Sequence, residues 1–113
     1  MLAMAYDEDL ANRIRELVGP VGGIEEKRMF GGLAFLVNGN MAVAASGRGD
    51  LMVRVPPEAT ETMLTRSHVS PMIMSGRETR GWVRIDLAGV RTARQLRQWV
   101  DVGAGYAAEL PAK

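Results

Sequence analysis

The stretch Arg28-Met29-Phe30-Gly31-Gly32 carries the most information about the fold of this chain. An aromatic residue stands directly before two glycines, and an apolar segment follows them. The Phe30 ring is large enough to anchor a core, and the glycines let the backbone turn or approach another strand closely. The stretch supplies no nucleophile, acid or metal ligand. We therefore predict a structural role for it, with Phe30 buried in the core.

The segments on either side of this stretch predict an antiparallel sheet. Ile24–Phe30 and Leu33–Val37 have the composition of strands. Asn-Gly at residues 38–39, between two apolar runs, is a strong signal for a hairpin turn. Met41–Ala45 and Asp50–Val55 are expected to continue the sheet after that turn. Three or four consecutive strands with short turns form an antiparallel meander.

Helices are predicted before, after and between the strands. Apolar residues recur every three or four positions in Asp7–Val18, and a second, shorter helix is expected over Glu58–Thr65. Residues 67–76 show no clear period, whereas Gly81–Ile85 alternates as a strand does. Thr92 is expected to cap a final helix that runs to about Leu110.

The resulting order is α, three or four β, α, one or two β, α. This order predicts an α+β two-layer sandwich, with helices on one face of an antiparallel sheet. A chain of 113 residues fits a single domain, here residues 1–113, with residues 1–5 expected to be flexible. The other face of the sheet is then solvated, covered by loops, or used to bind a partner.

Composition excludes several chemistries and indicates a compartment. The chain contains no cysteine, which rules out disulfides, thiolate catalysis and cysteine-ligated metal clusters. No apolar run approaches the roughly 20 residues needed to span a bilayer. The N-terminus turns acidic at once and lacks the pattern of a signal peptide. We therefore expect a cytoplasmic protein without a membrane partner.

Most basic residues of the chain are arginine, and three of them recur at a regular spacing near the C-terminus. Net charge is +1, and twelve of the fourteen basic residues are arginine. Arg91, Arg94 and Arg97 recur every three residues, so a helix places them near one stripe that phosphates could contact. The favoured interpretation is the solvated face of an amphipathic helix, because the total charge is close to neutral.

His68 is the only histidine, with Ser67 and Ser70 beside it. The chain has no Gly-x-Ser-x-Gly element, and no carboxylates stand at metal-ligand spacing from this histidine. A loop histidine bonded to backbone or water is the favoured interpretation. We expect no catalytic residue, no cofactor, no metal and no enzymatic activity.

Two further groups are candidates for partner contacts. Arg28 could contact a partner or an anion at the rim of the sheet, although pairing with a nearby glutamate or a carbonyl is favoured. Met41 and Met52 lie in predicted strands and are assigned to the core. Met72 and Met74, in the segment without a clear period, are the candidates for an exposed apolar contact, together with Trp82.

The assembled motifs resemble the N-terminal domain of the TfoX/Sxy family, which is known from bacterial competence regulators and from many small stand-alone proteins. The resemblance extends roughly from Tyr6 to Leu110. It rests on the opening helix, the hairpin, and the following motifs: Arg28-Met29-Phe30-Gly31-Gly32, Pro71-Met72, Gly81-Trp82-Val83, and Leu96 with Trp99 in the last helix.

The resemblance implies a two-layer α+β fold like that of secretion-chaperone-type domains, in which dimers occur. It implies no established enzymatic activity and no cofactor. The chain departs from the family at Met72, where related domains often carry an aromatic residue, and in Gly81–Ile85, which lacks the paired tyrosines common there. Full-length competence regulators also carry a C-terminal domain, for which this chain has no room.

We expect a non-enzymatic regulatory or protein-interaction module that forms a homodimer and binds an unknown protein partner. The alternative is a weak nucleic-acid-binding protein that uses its arginine-rich C-terminal half. A small hydrolase or transferase is a third class, which would require a pocket around His68 or Arg28.

Overall fold

The computed structural model describes residues 6–19, 23–29 and 31–113. Phe30 and residues 1–5 lie outside this part, so the predictions made for them are not addressed by it. The helices are α1 (Glu8–Val18), α2 (Thr60–Met63) and α3 (Ala93–Glu109). The strands are β1 (Ile24–Met29), β2 (Gly32–Val37), β3 (Asn40–Ala45), β4 (Leu51–Arg54), β5 (Val69–Met74) and β6 (Arg77–Ile85).

The six strands form one antiparallel sheet in the order β1-β2-β3-β4-β6-β5. Its main core lies between one sheet face and the helices α1 and α3. Side chains from the strands, such as Phe35 and Val53, meet Ile14 of α1 and Leu96 of α3 there. The predicted α+β architecture is confirmed.

The predicted hairpin and the two long helices are also confirmed. Asn38 and Gly39 both adopt positive φ, 52° and 83°, and they join β2 to β3 as a two-residue turn. The Asp7 side chain caps α1 by accepting the Leu10 N–H at 3.0 Å. Thr92 caps α3 in a capping box with Gln95.

An ion pair on the helical side joins α1 to the edge strand β1. Arg15 donates two hydrogen bonds of 2.8 Å to the Glu26 carboxylate. The guanidinium lowers the pKa of Glu26, and the carboxylate raises the pKa of Arg15. Both side chains remain more than a third exposed to solvent.

The structure corrects three boundaries. Residues 67–76 contain the edge strand β5 and the turn to β6, and burial along β5 is irregular, in keeping with the missing alternation in its sequence. The register shift opposite Pro71–Ile73 places the extra residues on β6, between Glu78 and Val83. A proline is tolerated on an edge strand because no ladder donor is needed there. β6 begins at Arg77, earlier than predicted.

The helix expected over Glu58–Thr65 is a 3₁₀ turn (Pro57–Ala59) followed by four α-helical residues, consistent with its three threonines.

Candidate functional site

The sheet face opposite the main core carries a second apolar cluster. Its buried members are Ala34, Leu36, Ala44, Met52 and Met72, and Met29, Met41 and Trp82 pack against them. No residue of a helix belongs to this cluster as far as the structure describes the chain. We call the surface formed by Met29, Met41, Met52, Met72, Met74 and Trp82 the methionine face.

A groove of about 430 Å³ crosses the methionine face. Met52, Met72 and Met74 form its apolar wall, and Arg84, Gly31 and residues 46–48 complete it. Met72 is 9% exposed and Met74 is 45% exposed. The sequence predicted an exposed apolar contact at both methionines, in a loop; only Met74 is exposed, and both residues belong to β5. Their role as a partner contact stays a prediction. Met72 lies at the buried floor, and Met74 is accessible.

The glycine motif forms one end of this groove. Gly31 adopts φ 76° and lines the groove directly. A Cβ on Gly32 would collide with the carbonyl oxygen of Ala45 and would lie 3.1 Å from the Cα of Ser46. Glycine at this position is therefore required for the contact between the start of β2 and the turn that follows β3. Met29 packs against the second cluster, whereas Arg28 is exposed on the edge strand.

Arg84 is buried at the other end of the groove and forms an ion pair with Asp50. It is 9% exposed, and its Nε and Nη2 donate to the two carboxylate oxygens of Asp50 at 2.9 and 2.8 Å. Nη2 also donates to the Ser46 hydroxyl at 2.9 Å. The pair neutralises the guanidinium and ties β6 to the turn at residues 46–50. The sequence analysis did not identify this role of Arg84.

The remaining arginine candidates lie elsewhere on the surface. Arg91, Arg94 and Arg97 are exposed just before and within the first turns of α3. Arg28 makes no ion pair within residues 6–19, 23–29 and 31–113, so the pairing with a nearby glutamate that the sequence favoured is not found there. The predicted phosphate and partner contacts of these residues therefore stay predictions, on side chains that are accessible to a ligand.

His68 lies in the loop before β5 and contacts an acid. Its Nδ1 is 3.1 Å from an Asp86 carboxylate oxygen. Within the described part of the chain, no three histidine, aspartate or glutamate side chains are arranged to hold a metal ion. None of its helices has both the length and the apolar character needed to cross a bilayer.

Comparison with known protein families places the chain in one of them. The model of the TfoX N-terminal domain family matches residues 16–107, which is most of the chain. The chain therefore belongs to the TfoX N-terminal domain family. Comparison with the curated proteins and with the solved structures gave no match.

Proposed function

We propose that this protein is a non-enzymatic regulatory and protein-interaction module of the cytoplasm that self-associates through the methionine face. The observation that carries the proposal is an apolar sheet face on which five residues are buried without a contribution from any helix of the described chain. Methionine side chains suit such a surface because they are flexible and polarizable and adapt to a partner. A second copy of the chain is the occupant that we propose.

The charges around the face favour a symmetric contact between two copies. Arg84, the buried cation of this surface, is neutralised by Asp50 and so does not oppose the contact of two identical faces. Arg48 also lines the groove, where it is exposed to solvent. In an isologous dimer each copy presents the same patch, and such a patch must be compatible with itself. Met74 lies at the accessible rim and would contact the partner directly.

The two edge strands of the sheet, β1 and β5, also favour contact through the methionine face over contact through an edge. β1 carries four consecutive charged residues, Glu25 to Arg28, which protect that edge against pairing with another strand. β5 exposes Ile73 and Met74, but Pro71 offers no backbone N–H for pairing with a further strand. We therefore propose packing of side chains across the face rather than a continuous intermolecular sheet.

Light scattering coupled to size-exclusion chromatography tests this proposal. We expect the parent protein to be a dimer at high micromolar concentration and Met74→Glu to be a monomer, because the new carboxylate would be buried without a partner. Leu87→Glu is the matched control, since Leu87 is also 45% exposed but lies on the helical side. A parent protein that remains monomeric, or equal effects of both variants, would contradict self-association through this face.

Nucleic-acid binding is the second candidate function, and the exposure of Arg91, Arg94 and Arg97 favours it. The double variant Arg94→Ala/Arg97→Ala would weaken binding to duplex DNA and reduce the slope of log K against log salt by about 2. Removing two exposed cations from the N-terminal half, with Lys27→Ala/Arg48→Ala, is the control. Undetectable binding, or an equal loss in both double variants, would eliminate this function.

A further inference from the structure

A second groove, of about 460 Å³, lies on the helical side of the molecule, away from the methionine face. It is bounded by the loop before β5, by the 3₁₀ turn Leu87–Val90 and by the first turns of α3. Its lining is mostly polar. The residues are Thr65, Arg66, Ser67, His68, Gly89, Gln95, Gln98 and Trp99. We call it the polar groove.

Arg66 is held in this groove by an aromatic ring. Its guanidinium carbon lies 4.4 Å from the centroid of the Trp99 ring, and Trp99 is only 4% exposed. Stacking on an indole orients the guanidinium plane while leaving its N–H groups at the edge free to donate. No carboxylate within the described ranges forms an ion pair with Arg66. The groove therefore contains an oriented cation whose charge is not neutralised.

His68 is positioned by three separate features of its surroundings. Its backbone adopts φ 68°, in the left-handed region, and its carbonyl accepts the Asp86 N–H at 3.1 Å. A Cβ on Gly89 would lie 2.7 Å from the Cβ of His68, so the ring's approach to the 3₁₀ turn depends on that glycine. Asp86 faces Nδ1, and Nε2 is therefore the ring nitrogen left for a ligand.

The other groups of the polar groove are mainly donors. The Gln95 Oε1 accepts the Thr92 N–H at 3.0 Å, which leaves its amide N–H groups available. Gln98 and Ser67 add a further amide and a hydroxyl. Thr65 is different, because its hydroxyl already donates to the Thr62 carbonyl at 2.7 Å. The carboxylate of Asp86 contacts His68 and accepts the Gly89 N–H.

We propose that the polar groove binds a phosphate oxyanion, as inorganic phosphate or as a small phosphomonoester. A ligand with several acceptor oxygens and negative charge matches a groove that offers a guanidinium, amide and hydroxyl donors and, when protonated, an imidazolium. Arg94 lies one helical turn before Gln98 on α3 and adds positive potential at the rim. The site is independent of the methionine face and of any dimer formed there.

Titration of the ¹⁵N-labelled protein with inorganic phosphate, at constant pH and ionic strength set with chloride, tests the proposal. We expect saturable shifts of the Trp99 indole N–H, the Gly89 amide and the amides of residues 66–68. A parallel titration with glycerol phosphate distinguishes the two ligand forms. The form that binds with the higher affinity, inorganic phosphate or the phosphomonoester, is the one that the groove prefers. Shifts that do not saturate, or that concentrate outside the polar groove, would overturn the proposal.

Variants separate this site from general attraction of anions. Arg66→Gln is expected to weaken phosphate binding by about tenfold or more, since it removes the oriented charged donor. Arg77→Gln, which removes an exposed arginine of β6 that does not line the groove, should change the affinity by less than about twofold. An equal loss in both variants would refute the site.

His68→Asn provides a second test that does not depend on Arg66. Asparagine tolerates the left-handed backbone, so this variant removes the ring without adding backbone strain. We expect the phosphate affinity to fall several-fold while the dispersion of the amide spectrum is preserved. A folded His68→Asn protein with parental affinity would remove the histidine from the site and contradict the proposed geometry.

Discussion

Replacing Gly103 by alanine tests the contact that holds α3 on the sheet. Gly103 is buried in α3 directly over β3. A Cβ at this position would collide with the carbonyl oxygen of Ala42 and lie 2.8 Å from a methyl group of Val43. Ala42 is the extra residue at the irregularity between β2 and β3, so its carbonyl belongs to a backbone that cannot move without disturbing the sheet.

Two opposing terms determine the size of the effect. Alanine favours the helix by about 1 kcal/mol relative to glycine. Overpacking costs about 1 to 3 kcal/mol, and the upper end applies here because the obstructing atom belongs to the backbone. The expected net loss of stability for Gly103→Ala is therefore about 2 kcal/mol. In a domain of this size, such a loss lowers the melting temperature by roughly 8 °C.

Gly105 provides the matched control within the same helix. A Cβ at this position would have no atom of the described residues within 4 Å, so Gly105→Ala retains the helix-propensity gain without the collision. We expect Gly105→Ala to raise the free energy of unfolding by about 0.5 to 1 kcal/mol. Urea unfolding of both variants and of the parent protein measures the difference. If Gly103→Ala were as stable as Gly105→Ala, the close approach of α3 to β3 would be wrong.

Two further predictions concern ion pairs. Asp50→Asn should lower the free energy of unfolding in urea by about 3 kcal/mol, because it leaves the buried Arg84 without a counter-charge. Arg84→Met should lower it by only about 1 kcal/mol, because Asp50 is less buried. Equal losses in the two variants would contradict this asymmetry. Because Arg15 lowers the pKa of Glu26 below its ordinary 4.5, the pair stabilises the fold above that value and loses its effect as the pH falls through the lowered pKa. Glu26→Gln should therefore be destabilised by less than about 1 kcal/mol near pH 7 and should match the parent in acid. A difference that persists in acid would show that the pair is not its origin.

Local signals made most of the fold predictable. The Asn-Gly turn, the capping residues Asp7 and Thr92, and the apolar period of the long helices each depend on neighbours within a few positions. β5 was not predictable in the same way. Its burial does not alternate and Pro71 suppresses the strand signal, so only its pairing with β6 makes it a strand.

The candidate surfaces were predictable only in part, because they depend on which strands become neighbours. Met72 and Met74 were identified as a pair, but their groove requires Met52 of β4 and Arg84 of β6 beside them. The pairing of Arg84 with Asp50 spans 34 positions of the sequence and has no local signal. The polar groove depends likewise on three segments that meet only after folding.

The distribution of charge between the two surfaces explains why one chain can carry both. On the methionine face the buried cation is neutralised by Asp50, which leaves an apolar surface suited to another protein surface. In the polar groove Arg66 rests on an aromatic ring instead of a carboxylate, so its charge stays available for an anion. In both proposals, the nature of each arginine's partner, rather than the number of arginines, sets the ligand to which the surface is suited.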